Sequence, residues 1–163
     1  KGHIAVSRAQ FPKGVCGYQL DPLARQYLWE IGADYNHGTG HGVGAYLCVH
    51  EGPQSISKRA TLVALEAGMV LSNEPGYYEE GAFGIRIENR IEIIAAEKVG
   101  EAVLASAPLT MAPYEASLID AAQLSADERA WLNDYHAEVL AAMQRAGAEG
   151  TLLAWIAQQT KPL

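Results

Sequence analysis

The sequence predicts an α+β fold, with strands and helices up to about residue 115 and a helical extension over residues 116–163. Two patterns support this prediction. Residues 83–94 alternate apolar and polar side chains with the period of two that a half-buried strand requires. After residue 125, apolar residues recur at helical spacing instead, which marks the change to the extension.

Caps and breakers define two helices in the first part of the chain. Residues 1–9 are predicted to be the last turns of a helix, which Phe-Pro-Lys-Gly at 11–14 ends. Asp21 as N-cap and Pro22 as first helical residue predict a second helix, and Gly32 follows its C-cap. The apolar face of that helix is predicted to hold Leu23, Tyr27, Leu28 and Ile31.

Short strands and turns are predicted for the middle of the chain. Residues 38–44 contain four glycines, which exclude a regular element and allow close backbone approach. Residues 45–50 and 68–72 are predicted to be short strands, and residues 73–76 a turn. A single strand is expected over 83–94, and the last predicted segment, 102–105, is able to pair with it.

The extension begins with a capping box formed by Ser125 and Glu128. Its helix ends at Gly147, and a shorter helix follows over residues 151–159. We expect the apolar stripe of these helices to pack against the body or a second subunit, because its spacing is that of ordinary core residues. The stripe includes Trp131, Leu132, Tyr135, Val139 and Trp155.

Composition excludes several classes of function. Hydrophobic residues make up 49% and charged residues 19%, so the chain is able to bury a core. A net charge of -7 argues against nucleic acid or an anionic membrane as partner. The sequence has no apolar run of about 20 residues and no secretory signal at its start. Cys16 and Cys48 are interpreted as reduced thiols, which favours a cytoplasmic location.

Three histidines, His37, His41 and His50, fall within fourteen residues around the glycine-rich segment. The glycines keep His37 and His41 off a helix, and a loop histidine that enters a strand can present a ring nitrogen to a metal. The alternative is a tight connection in which the histidines are incidental.

Two glutamates are further candidate ligands. Pro75 favours extended backbone at Glu74, which would fix the direction of that carboxylate; the alternative is a carboxylate on a surface turn. Glu88 shares a strand face with Arg86, and both would point into a cleft if the strand were functional. The alternative is a solvated face with cross-strand ion pairs.

One histidine and two glutamates from separate elements form a mixed nitrogen and oxygen ligand set. Such a set suits manganese, zinc or cobalt. Cys48 is not expected to be a ligand, because no second cysteine lies nearby and a small buried strand residue would explain it.

Three segments resemble the aminopeptidase P family of pita-bread metallopeptidases. They are His-Gly-Thr-Gly-His-Gly-Val-Gly and its continuation over 37–53, Asn-Glu-Pro-Gly-Tyr-Tyr-Glu over 73–79, and Gly-Ile-Arg-Ile-Glu-Asn over 84–89. They occur in the family's order and at about its spacing, and the resemblance extends over essentially the whole chain. It implies the C-terminal portion of a pita-bread fold, with a curved antiparallel sheet and flanking helices. Residues 1–115 would belong to the metallopeptidase domain and residues 116–163 to a helical C-terminal extension.

The resemblance also implies an activity and the residues that carry it. The family removes the N-terminal residue from peptides with proline at the second position, using two divalent metal ions, commonly manganese. By this resemblance His41, Glu74 and Glu88 are metal ligands, and we expect them to converge within a few ångströms. By the same resemblance, Glu74, His50 and Arg86 would have catalytic roles, and His37 and His50 would contact the substrate.

The family's two aspartate ligands have no counterpart here, because Asp21 and Asp34 lie in no matching motif. The resemblance therefore implies a C-terminal portion with three of five ligands, and we expect the 163 residues alone to be inactive. A homodimer through the extension is compatible with the family. The alternative function is a non-catalytic pita-bread module that binds protein or peptide. The presence of all three matchable ligands favours the enzyme.

Overall fold

The computed structural model describes residues 1–96 and 103–163, which contain four α-helices and eight short strands. The helices are α1 (Gly2–Arg8), α2 (Asp21–Trp29), α3 (Ala126–Arg145) and α4 (Gly150–Gln159). The strands are β1 (Phe11–Pro12), β2 (Gly40–His41), β3 (Ser55–Ile56), β4 (Val70–Asn73), β5 (Gly76–Glu79), β6 (Phe83–Arg86), β7 (Asn89–Ala95) and β8 (Val103–Pro108). The chain divides into two units, Lys1–Thr110 and Met111–Leu163.

The main sheet of the first unit is antiparallel, with the strand order β1-β8-β7-β4. Ile91 of β7 pairs with Leu71 of β4 on one side and with Pro108 of β8 on the other. The predicted pairing with the preceding strand is confirmed for Leu104 and Ala105, and residue 102 of the predicted segment lies outside the described residues. Two ribbons, β2-β3 and β5-β6, complete the strands of this unit.

The core of the first unit joins the main sheet to helices α1 and α2. Helix α1 contacts α2, β4 and β8. Burying one aliphatic side chain of leucine or isoleucine size contributes about 1.5–3 kcal/mol to folding. The buried cluster contains Val6, Phe11, Leu20, Ala24, Ile56, Leu65, Leu71, Ile91, Ile93 and Leu104.

The predicted strand over residues 83–94 is two strands, separated by Ile87 and Glu88. The break arises because β6 pairs with β5, whereas β7 pairs with β4 and β8. Ile91 and Ile93 are buried as expected. The apolar residues before the break are exposed, namely Phe83, Ile85 and Ile87.

Residues 45–50 form a turn and not the predicted strand. Tyr46 and Leu47 have φ angles of 51° and 63°, in the left-handed region that no strand residue adopts. Cys48 closes the turn, because its backbone N–H donates to Ala45 and its carbonyl oxygen accepts from Gly44. Cys48 is exposed, so its interpretation as a buried strand residue is wrong.

Helix α2 begins at Asp21, with Leu20 as its N-cap, so the predicted N-cap role of Asp21 is wrong. The carboxylate of Asp21 instead accepts hydrogen bonds from Arg25 and Thr39. The buried side of the helix consists of Asp21, Ala24 and Arg25. Ile31, expected on the apolar face, is 72% exposed. The apolar pattern mispredicts the buried face of this helix, because the charged pair Asp21 and Arg25 lies on that face.

The second unit follows the sequence prediction closely. Helix α3 starts with the predicted capping box, in which Ser125 and Glu128 exchange side-chain and backbone hydrogen bonds. Leu132, Tyr135 and Val139 are buried, whereas Trp155 is 53% exposed. Packing of Trp155 on a second subunit stays a prediction. In the described parts of the chain, no helix has both the length and the apolarity to cross a membrane.

Candidate metal centre

Glu74 lies at the junction of β4 and β5, where both of its carboxylate oxygens are held. Its backbone N–H donates to the carbonyl oxygen of Thr39 over 2.7 Å. Ser72 Oγ donates to Glu74 Oε1 over 2.9 Å, and Arg86 Nη1 donates to Oε2 over 3.2 Å. Glu74 is buried, so the alternative of a carboxylate on a surface turn is wrong.

His41 stands on β2 with its ring directed at Glu74. Its backbone N–H donates to Ser72 Oγ over 2.9 Å, so one serine hydroxyl fixes both residues. Ring atom Nδ1 lies 3.0 Å from the carbonyl oxygen of Gly42, and Nε2 lies 3.2 Å from Glu74 Oε1. Because a carbonyl oxygen only accepts, Nδ1 carries the hydrogen of the neutral ring, and Nε2 carries a lone pair.

Glycines beside His41 allow three backbone segments to meet. A Cβ atom on Gly40 would lie 2.0 Å from the carbonyl oxygen of Ser72, and one on Gly42 would lie 1.9 Å from that of Glu51. The close backbone approach expected from this composition is confirmed. The expected absence of a regular element is wrong, because Gly40 and His41 pair with β3.

The geometry of His41 and Glu74 fits a bound cation. With the ring neutral, both facing atoms are hydrogen-bond acceptors, and two acceptors 3.2 Å apart repel each other unless a positive charge lies between them. That charge is either a proton on Nε2 or a metal ion bound by both side chains. Two ligand atoms that each lie about 2.1 Å from one metal ion are roughly 3.0–3.4 Å apart. The 3.2 Å between His41 Nε2 and Glu74 Oε1 agrees with this range.

His50 packs against His41, with ring centroids 4.0 Å apart and ring planes inclined by 38°. It follows the turn at residues 45–49 and does not end a strand, contrary to the sequence prediction. The side chain nevertheless lies beside the candidate ligand pair. Its catalytic and substrate-binding roles stay predictions.

A hydrogen-bond chain leads from Glu74 to His37. Arg86 Nε donates to Tyr78 Oη over 2.8 Å, and Tyr78 Oη lies 2.8 Å from His37 Nε2. His37 Nδ1 lies 2.8 Å from the carbonyl oxygen of Gly38, so Nδ1 carries hydrogen and the Tyr78 hydroxyl donates to Nε2. The hydrogen bond to Tyr78 is the largest cause that raises the pKa of Arg86, and the charge of Glu74 contributes in the same direction, so Arg86 is positively charged.

Glu88 does not join His41 and Glu74. It is exposed in the gap between β6 and β7, because the break in pairing turns it out of the sheet. Within residues 1–96 and 103–163, no three histidine, cysteine, aspartate or glutamate side chains are close enough to bind one metal ion. The expected convergence of all three ligands is therefore not found. A ligand role for Glu88 stays a prediction.

Two side chains of this site, Ser72 and Tyr78, are not among the residues that the sequence predicts. Ser72 lies two residues before Glu74, a spacing that places alternate residues of a strand on one face. Tyr78 lies in the segment 73–79, which carries part of the family resemblance. The sequence does contain a signal for Ser72 and Tyr78, because each carries a hydroxyl group close in sequence to a candidate ligand.

Family models give the class of protein. The model described as metallopeptidase family M24 matches residues 1–95, and the model described as the C-terminal region of peptidase M24 matches residues 103–163. The chain belongs to metallopeptidase family M24.

Two curated relatives that share about half of the residues of this chain carry the names of aminopeptidases. A probable Xaa-Pro aminopeptidase P from Fusarium vanettenii is 50% identical over 98% of this chain and 27% of its own length. Aminopeptidase P2 from Arabidopsis thaliana is 49% identical over 100% of the chain and 24% of its own length. The chain thus spans about a quarter of the length of these relatives, and the predicted resemblance to the aminopeptidase P family is confirmed.

Solved structures confirm the predicted fold class. An X-prolyl aminopeptidase from Caenorhabditis elegans, described as a cytosolic enzyme with a di-nuclear active site, superposes with a TM-score of 0.91. It is 43% identical over 99% of this chain and 27% of its own. The chain has the C-terminal portion of the pita-bread fold, with an antiparallel sheet and flanking helices.

Proposed function

We propose that this chain is part of a metal-dependent aminopeptidase that removes the N-terminal residue from peptides with proline at the second position. The central observation is the His41–Glu74 pair, in which Nε2 of His41 and Oε1 of Glu74 face each other at 3.2 Å. Such a pair suits a divalent cation. The printed names of the relatives, Xaa-Pro aminopeptidase P and X-prolyl aminopeptidase, support the substrate class.

The contacts of the side chains support the roles that we propose for them. Two divalent cations, when bound, supply activation of a water molecule and polarisation of the scissile carbonyl group. Glu74 accepts the proton of that water and passes it to the leaving proline nitrogen. Ser72 and Arg86 keep the two oxygens of Glu74 in fixed directions during this transfer. A fixed carboxylate favours the transition state because it needs no reorientation.

The histidines serve different purposes in this proposal. His41 is a direct ligand, because Nε2 presents a lone pair while Nδ1–H is held by Gly42. His50, stacked on His41, donates a hydrogen bond where negative charge develops on the substrate. His37, at the far end of the Tyr78–Arg86 chain, contacts the substrate near its proline ring.

The metals of the intact protein are proposed to be manganese, with zinc or cobalt as alternatives. A di-nuclear site in the C. elegans enzyme supports two ions. In the intact protein, Glu88 from the segment between β6 and β7 completes the ligand set, together with two aspartates outside residues 1–163. The isolated chain, with His41 and Glu74 alone placed together, would bind metal weakly and lack activity.

Three broader assignments belong to the same proposal. Residues 1–115 form part of the metallopeptidase domain, and residues 116–163 form an extension. The extension supports a homodimer, since Leu152 and Trp155 of α4 are exposed. A cytoplasmic location agrees with the description of the C. elegans enzyme as cytosolic.

The test uses the full-length protein. Elemental analysis should find bound divalent metal, and a peptide beginning Xaa-Pro should lose its first residue while a matched Xaa-Ala peptide should not. A full-length protein that binds no divalent metal would favour the alternative, a non-catalytic module that binds peptide or protein. Turnover by residues 1–163 alone at the full-length rate would contradict the proposed division of the ligand set.

A further inference from the structure

Arg25 is a buried arginine whose five N–H groups all donate hydrogen bonds. Its side chain is 0% exposed. Nε and Nη2 donate to the two carboxylate oxygens of Asp21 over 2.7 and 3.1 Å. Nη1 donates to Asp34 Oδ1 and to the carbonyl oxygen of Tyr35, both over 2.7 Å, and Nη2 donates to the carbonyl oxygen of His37 over 2.9 Å.

The charges around Arg25 balance. Asp21 and Asp34 contribute two negative charges, and Lys58 adds a second positive charge through a 2.9 Å contact to Asp34. Burial alone would raise the pKa of Asp34, but hydrogen bonds from Lys58 and Arg25 lower it below the ordinary range. Removing one partner from such an arrangement would leave an uncompensated buried charge, which is strongly destabilising.

The loop that carries His37 is wrapped around this guanidinium group. Two of its carbonyl groups, those of Tyr35 and His37, accept from Arg25. The ring of Tyr35 lies over the guanidinium carbon at 3.8 Å, and the ring of His37 lies 4.8 Å from that of Tyr35. Arg25, Tyr35 and His37 thus form a stack in which the ring of Tyr35 contacts both the guanidinium group and the ring of His37.

The same network reaches Glu74 through Thr39. Thr39 Oγ1 donates to Asp21 Oδ1 over 2.6 Å, and the Tyr35 hydroxyl donates to Thr39 Oγ1 over 2.5 Å. Burial raises the pKa of Tyr35 to about 12, which keeps this hydroxyl protonated and able to donate. The carbonyl oxygen of Thr39 then accepts the backbone N–H of Glu74.

We infer that Arg25 is a positioning residue, which fixes the ring of His37 and the backbone that receives Glu74. Lysine cannot replace it, because an ammonium group has three donors and no planar fork. The inference depends on the proposed function only for its activity readout. The orientation of His37 is measurable in this chain without any substrate.

The test compares Arg25→Lys with Ile93→Ala, a core variant in β7 that lowers stability without contacting the network. Nitrogen NMR of the unmodified chain should show His37 as one neutral tautomer with hydrogen on Nδ1. In Arg25→Lys the two tautomers should average, whereas Ile93→Ala should keep the original signals. A folded Arg25→Lys variant with unchanged His37 signals would overturn the inference.

If Arg25→Lys does not fold, Tyr35→Leu replaces it as the test. That variant removes the ring between Arg25 and His37, whereas Tyr35→Phe keeps the ring and serves as its control. Averaged His37 signals in Tyr35→Leu alone support the stack, and unchanged signals in Tyr35→Leu refute it.

Activity in the full-length protein gives an independent readout. Arg25→Lys should raise KM for an Xaa-Pro peptide at least tenfold when measured at saturating manganese. An unmodified protein that does not cleave Xaa-Pro peptides would refute the proposed function but leave the NMR test intact. Normal KM together with normal His37 signals would refute the positioning role.

Discussion

Ser72→Ala provides a sharp test of how the His41–Glu74 pair is held. Ser72 is fully buried, accepts the backbone N–H of His41, and donates to Glu74 Oε1, each over 2.9 Å. Alanine removes a hydrogen bond to a charged group, worth about 1.5–3 kcal/mol, and leaves a buried N–H without its acceptor. We expect a total loss of roughly 3 kcal/mol in the free energy of unfolding, since these two effects overlap.

Thermal unfolding of the 163-residue chain measures this loss. For a chain of this length, roughly 3 kcal/mol corresponds to a decrease in Tm of about 6–12 °C. Ser106→Ala is the matched control, because Ser106 Oγ makes one neutral hydrogen bond, to the carbonyl oxygen of Ser7. That control should lose only about 1 kcal/mol.

Metal affinity of the full-length protein distinguishes a site residue from an ordinary buried serine. Loss of a group that orients a metal ligand typically weakens metal binding 10–100-fold. Calorimetric titration with manganese should show a loss of this size for Ser72→Ala and none for Ser106→Ala. If Ser72→Ala binds manganese as tightly as the unmodified protein, the reasoning that Ser72 organises a metal-binding pair is wrong.

Three further predictions concern His41, His50, Glu88 and His136. In the full-length protein, His41→Ala should lose both metal and activity. His50→Ala should keep its metal, and its turnover should fall by a factor of roughly 10²–10³. Equal loss of metal in both variants would contradict this division of roles. Glu88→Gln should change the unfolding free energy of the isolated chain by less than about 0.5 kcal/mol, since Glu88 is exposed, yet reduce metal content in the full-length protein. Burial lowers the pKa of His136 below 6.5, and its Nε2 accepts the backbone N–H of Tyr114, so the neutral form stabilises the second unit. That stabilisation is fully present above pH 6.5 and declines as the pH falls towards the lowered pKa. Unfolding followed by Trp131 fluorescence should show this pH dependence, and the His136→Gln variant should lack it.

Local signals in the sequence determined several parts of this protein by themselves. The capping box at Ser125 starts α3 as predicted, because it needs only residues within one helical turn. The glycines at 40 and 42 indicated close backbone approach, and the structure shows the carbonyl groups that a side chain would meet. The motifs around His41 and Glu74 indicated an aminopeptidase P relative, which the comparisons confirm.

Pairing between segments that are distant in sequence determines the parts of the fold and of the site that local signals do not predict. The alternation over residues 83–94 has one period, but β6 and β7 have different partner strands, and the break between them exposes Glu88. Asp21 has the local features of an N-cap, yet it serves a buried arginine whose other partners are at positions 34–37. Ser72 and His41 are 31 residues apart in sequence, and Ser72 connects His41 to Glu74 only because strands β2 and β4 are in contact. Hydrogen bonds between distant segments leave no periodic pattern in the sequence, so only the tertiary structure reveals which side chains hold the site.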